Sequence, residues 1–97
     1  MRVIAISALS DFWTKHPDAE LPLKEWYIKT KRASWHCFAD IRQDFNSADY
    51  VGNQRYVFNI KGNHYRLVVA VKFTPALVYI RFVGTHDEYD KIDVSCI

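Results

Sequence analysis

Arg66, Arg81, His86 and Tyr89 are the residues whose types and spacing could carry out a reaction in this chain. Arginine brings a permanent charge and a planar fork that fits phosphate oxygens, and histidine exchanges a proton near neutral pH. RNA carries its own nucleophile in the 2′-hydroxyl. A metal-free ribonuclease therefore needs only in-line positioning, proton transfer and stabilisation of the extra charge at phosphorus. Two arginines and a histidine supply those functions. Tyr89 follows His86 by three residues, so on a helical turn the two share a face, and its ring can stack on a base or lend its hydroxyl.

The elements that must position these groups are strands. From Gln54 onward the apolar residues recur with a period of two. Tyr56, Phe58 and Ile60 share one parity; Tyr65, Leu67, Val69, Val71 and Phe73 continue it in a second strand, and Val78, Ile80 and Phe82 in a third. Gly62-Asn63 suits a tight hairpin, which sets Lys61 opposite His64 and Asn59 opposite Arg66. A four-residue loop from Thr74 to Leu77 then pairs Val71 with Ile80 and Val69 with Phe82, keeping the apolar faces together. The same register puts Thr85 opposite Arg66, and so brings His86 to the end of the sheet that carries Arg66.

The opposite face collects Arg55, Asn59, Lys61, His64, Arg66, Lys72 and Arg81, and none of these strand positions is acidic. Two readings of it stand side by side. Cations from three strands suit an anionic partner such as RNA, with Lys61, Lys72, Arg55 and Asn59 as contacts. Solvated Lys and Arg are equally common on the open face of an antiparallel sheet. His64 and Arg55 are the members best explained by simple exposure.

Ahead of the sheet the period is helical. Arg2–Ile6 is a short β-branched strand, and Ser7 caps a helix that stops before Pro17. Asp18 caps a second helix running to about Arg32, with Leu23, Trp26, Tyr27 and Thr30 on its buried stripe. Trp35, Phe38, Ile41 and Phe45 predict a third, shorter helix after a Ser34 cap, with Cys37 in the packing. Helices first and sheet second make an α+β chain.

The 97 residues predict a single domain, 1–97, with 49% hydrophobic content for its core. A formal charge of +2 is too small to announce a nucleic-acid binder by itself. No long apolar run or leader is present, so the expectation is a cytoplasmic protein with no membrane association. Cys37 and Cys96 are expected as free thiols. His16, His36, His64 and His86 lack metal-ligand spacing, and the Asp87, Glu88, Asp90, Asp93 run reads as solvated, so neither a metal nor a cofactor is expected. No phosphate-binding glycine loop or serine-nucleophile elbow occurs.

The run from Val57 through Lys61-Gly62-Asn63-His64-Tyr65-Arg66 to Val69, followed by Tyr79-Ile80-Arg81-Phe82-Val83-Gly84-Thr85-His86-Asp87-Glu88-Tyr89-Asp90, resembles the HigB branch of the RelE-like toxins. The resemblance covers most of the C-terminal half; the N-terminal helices match loosely. It implies a RelE-like fold and a ribosome-dependent mRNA endonuclease, working in the ribosomal A site and neutralised by a cognate HigA-type helix-turn-helix antitoxin. It also implies that Arg66, Arg81, His86 and Tyr89 form the catalytic region, with Lys61 and Lys72 as weaker contacts. Two other classes remain open on the residues alone: a noncatalytic RNA-binding module, and a protein-interaction domain whose basic sheet receives an acidic segment.

Overall fold

The computed structural model describes all residues, 1–97. The chain forms β1 (Arg2–Ile4), α1 (Ser7–Lys15), a 3-10 turn (Pro17–Ala19), α2 (Glu20–Arg32), α3 (Phe38–Asp44), β2 (Asp49–Gly52), β3 (Arg55–Ile60), β4 (Tyr65–Lys72), β5 (Leu77–Thr85) and α4 (His86–Asp90). The five strands order as β1-β5-β4-β3-β2, with β1 parallel to β5 and every other pair antiparallel. This is the α+β arrangement the sequence predicts, and it agrees with the RelE-like fold that the resemblance implies.

One face of the sheet buries Phe58, Leu67, Val69, Val71, Val78 and Ile80 against Leu9, Leu23, Trp26 and Ile41 from the three N-terminal helices. Aromatic rings lock the contact, for Trp26 and Phe45 meet Phe58 edge-on at centroid separations of 5.5 and 5.1 Å. Edge-to-face pairs satisfy the ring quadrupoles while burying large area, so Phe58 is a central packing residue.

Several local expectations are corrected. Ala5 has φ +70°, which turns the chain out of β1 two residues early, and the N-cap position of α1 falls to Ile6 rather than Ser7. Asp18 does not cap α2. Its carboxylate is engaged across the molecule, accepting the Tyr65 hydroxyl and the Lys61 ammonium at 2.6 Å each. Cys37, not Ser34, holds the N-cap position of α3, and its thiol is exposed rather than packed. Strand β2 was missed because Asp49-Tyr50-Val51-Gly52 is too short to show alternation, and it ends in a turn with positive φ at Gly52, Asn53 and Gln54.

In the β3–β4 hairpin, Asn59 pairs with Arg66 as predicted. The ladder closes at Ile60 and Tyr65, and beyond it the Lys61 carbonyl accepts the His64 N–H at 3.2 Å and meets the His64 Nδ1 at 2.9 Å. The β4–β5 register differs from the prediction. Val71 faces Val78 and Val69 faces Ile80, because the loop is Phe73–Ala76 and Lys72 already pairs with Leu77. A shift of two keeps the faces together, which is why alternation alone could not detect it.

A bulge then inserts Arg81 between the Val69–Ile80 and Val68–Phe82 pairs. Beyond it the parity of β5 inverts. Phe82 therefore leaves the helix-facing side on which the sequence placed it, and Val83 takes up packing against the core. Arg66 consequently faces Gly84, and Tyr65 faces Thr85.

Candidate active site

Thr85 ends β5 and begins α4 in one step. Its hydroxyl accepts the Glu88 N–H at 3.2 Å, and the Glu88 carboxylate accepts the Thr85 N–H at 2.8 Å, a reciprocal capping box. The bond from the Thr85 backbone is the main reason the Glu88 carboxyl sits below its ordinary range, and burial opposes it. A five-residue helix is marginal by itself, so this box fixes where His86 and Tyr89 point.

Arg66 reaches α4 from the neighbouring strand. Its guanidinium carbon lies 5.9 Å from the centroid of the Tyr89 ring. One of its nitrogens donates to the Asn63 carbonyl at 3.2 Å and, more distantly, to that of Tyr65 at 3.4 Å. The remaining donors of the fork are free for an incoming anion. Gly84, across the ladder from Arg66, keeps this corner open, since a Cβ there would stand 2.4 Å from the Phe82 ring and 3.0 Å from the Glu88 carboxylate.

His86 is the first residue of α4, and its Nδ1 lies 3.2 Å from the Asp90 carboxylate one turn on. That contact leaves the other ring nitrogen to face solvent or substrate. Potential ligand atoms of His86, Asp87 and Asp90 lie within 4.8 Å of one another, all on exposed side chains.

The other sequence-selected residues are distributed unevenly. Asn59 is exposed beside Arg66 on the same face. Arg81, in the bulge, lies over the Tyr79 ring at 5.6 Å rather than against Tyr89. Lys61 sits at the hairpin tip, held by Asp18. Lys72 and Arg55 stand at the far end of the sheet, with Lys72 six residues along β4 from Arg66, roughly 20 Å at strand rise. Arg55 donates to the Ile97 carbonyl, and Asn53 to that of Ser95 at 2.9 Å, so the C-terminal segment returns to this end. Val57, Val68 and Ala70 are buried on this same side. The cationic face is thus two clusters separated by an apolar strip.

Sequence reasoning passed over His16, Asp18 and Tyr65. His16 stacks on Phe12 at 4.4 Å and meets Tyr65 edge-on at 5.5 Å. Hydrogen bonds from Lys61 first, and from the Tyr65 hydroxyl second, hold the Asp18 carboxyl below its ordinary pKa, and the same bond raises that of Tyr65. The contacts of Asp18 and His16 with Lys61 and Tyr65 join residues more than forty positions apart, so no local spacing announces them.

The sequence profile of the HigB toxin family, the RelE-like toxic component of a toxin-antitoxin system, matches residues 19–92. A relative from Shigella flexneri, an mRNA interferase HigB, is 33% identical over 93 residues, covering 93% of this chain and 88% of its own length. A second from Escherichia coli strain CFT073, also an mRNA interferase HigB, is 24% identical over 94 residues, covering 95% and 91%.

Proposed function

Because the chain belongs to the HigB family of RelE-like toxic components, we propose that it is the mRNA interferase of a toxin-antitoxin pair, cutting messages on the translating ribosome by 2′-hydroxyl attack. In this reading residues 1–97 act as one toxin domain in the cytoplasm, as the family suggests; no helix is long and apolar enough to cross a membrane. A HigA-type helix-turn-helix antitoxin neutralises it.

The observation that carries the reading is the seating of Arg66 against Tyr89 at the end of the sheet from which His86 emerges. In the reaction the 2′-oxygen forms a bond to phosphorus while the bond to the 5′-oxygen of the next nucleotide breaks. Charge accumulates on the non-bridging oxygens, where the free donors of Arg66 receive it. His86, oriented through Nδ1 by Asp90, exchanges a proton at its other nitrogen. Tyr89 offers a ring for base stacking and keeps the guanidinium in place. Asn59 contacts the message beside Arg66, Arg81 adds fixed charge at the sheet edge, and Lys61, Lys72 and Arg55 contribute at greater distance. So few proton-transfer groups leave part of the alignment to the ribosome.

Primer extension on cellular messages after brief induction tests this. The parent should produce new ends within translated frames, and His86→Ala should produce none while still co-sedimenting with ribosomes. A parent that binds RNA or ribosomes and leaves messages whole would instead be a noncatalytic binding module.

A further inference from the structure

A groove beside the Arg66 face shares Arg81 with the chemistry above and is otherwise unused by it. It lies between α1 and β5 and encloses about 430 Å3, within the range of roughly 300–1,000 Å3 typical of small-ligand sites. Its existence follows from the short first strand. β1 ends at Ile4, opposite Tyr79, so β5 beyond that point has no strand neighbour on this side, and α1 crosses over the gap. Lys15 and His16 line the groove from α1, Arg81 and Phe82 from the bulged edge of β5, and Glu88 from α4.

The charges are arranged unequally. Glu88 is already committed to the capping box. Lys15 and Arg81 are exposed and neither takes part in an ion pair, although Asp11 also borders the groove. An open strand edge adds backbone groups without a ladder partner, and bulges commonly re-aim a side chain next to an active site. Glu88 of the groove and Tyr89 of the Arg66 pair are consecutive residues of α4, so the groove adjoins the reacting centre.

We propose that this groove holds a phosphate of the message flanking the scissile one, with Lys15 and Arg81 as its cations and Phe82 against the attached nucleotide. Lys15 and Arg81 are then positioning residues that fix the strand while Arg66 and His86 act on the next phosphate. The inference rests on the mRNA endonuclease reading.

The test uses ribosomes programmed with messages carrying one uncharged methylphosphonate, moved stepwise past the cleavage point. For the parent, one flanking substitution should raise the half-saturating concentration at least about tenfold, the size of one charge-assisted hydrogen bond, with the maximal rate little changed. Lys15→Ala should begin from a weakened value and show a smaller response to the same substitution, Arg81 supplying what remains, and removing both cations should abolish the response. Lys15→Arg should restore both affinity and sensitivity, which a purely structural lysine would not require. Parent-like cleavage by Lys15→Ala, or undiminished sensitivity to every neutralised phosphate, would overturn the proposal. So would an affinity loss that appears equally on ribosomes without message, since the groove would then face the ribosome. Failure of the parent to cut unmodified message is a different result, and it would overturn the endonuclease reading itself.

Discussion

The Arg66 guanidinium lies 5.9 Å from the Tyr89 ring centroid, although the first belongs to a strand and the second to a short helix after the next strand. The relationship depends on two backbone features. The bulge at Arg81 sets Arg66 opposite Gly84, and the Thr85–Glu88 box starts α4 at once. Tyr89 therefore arrives over Arg66 on the first turn.

Arg66→Lys keeps a positive charge but loses the fork and the planar face that meets Tyr89. Cleavage of ribosome-bound message should fall by about 10²–10³, the usual cost of one transition-state donor. Thermal unfolding should stay within about 0.5 kcal/mol of the parent, as for other surface changes. Single-turnover rates and melting curves on the same preparation measure the two effects.

Gly84→Ala separates geometry from packing. The added methyl must displace the Phe82 ring and press on the Glu88 carboxylate, at a cost of about 1–3 kcal/mol for overpacking. The change should loosen α4 and reduce cleavage more than it reduces stability. Phe58→Ala should do the reverse, removing a ring that is 1% exposed and costing about 3–5 kcal/mol. Urea titrations beside activity assays distinguish them.

Acid stability should depend on Asp18. Its folded-state pKa lies below the ordinary 3.8, through Lys61 first and Tyr65 second, so the unfolded chain takes up the proton at a higher pH than the folded one. The stabilisation is then complete above the unfolded value and is lost as pH falls through the folded one. Asp18→Asn should unfold more easily at neutral pH and show a shallower decline between about pH 5 and pH 2. Equilibrium unfolding across that range measures the slope, and parallel slopes would deny Asp18 this role.

Much of this was legible in the residues. Apolar residues on one parity, from Tyr56 to Ile60 and from Tyr65 to Val71, located two strands and the face they bury against the helices, and the Asn59–Arg66 pair followed from the Gly62-Asn63 turn. The bulge was not legible. A single inserted residue leaves hydrophobic content intact and merely changes which face Phe82 occupies. Charge on the sheet was read correctly as residue types but not as one surface. Val57, Val68 and Ala70 divide it, Arg55 holds the C-terminal segment, and Lys61 is paired with an acid forty-three positions away. Pairings between distant segments have no sequence period, so Asp18 read as a helix cap although it anchors the hairpin tip.

The most direct test of the central claim is the chemistry of the cut end, measured with the purified toxin on programmed ribosomes. Attack by the 2′-hydroxyl leaves a 2′,3′-cyclic phosphate, or the 3′-phosphate derived from it, and a 5′-hydroxyl on the downstream fragment. Those ends should form in the parent and be lost in His86→Ala. A 3′-hydroxyl paired with a 5′-phosphate would contradict the account.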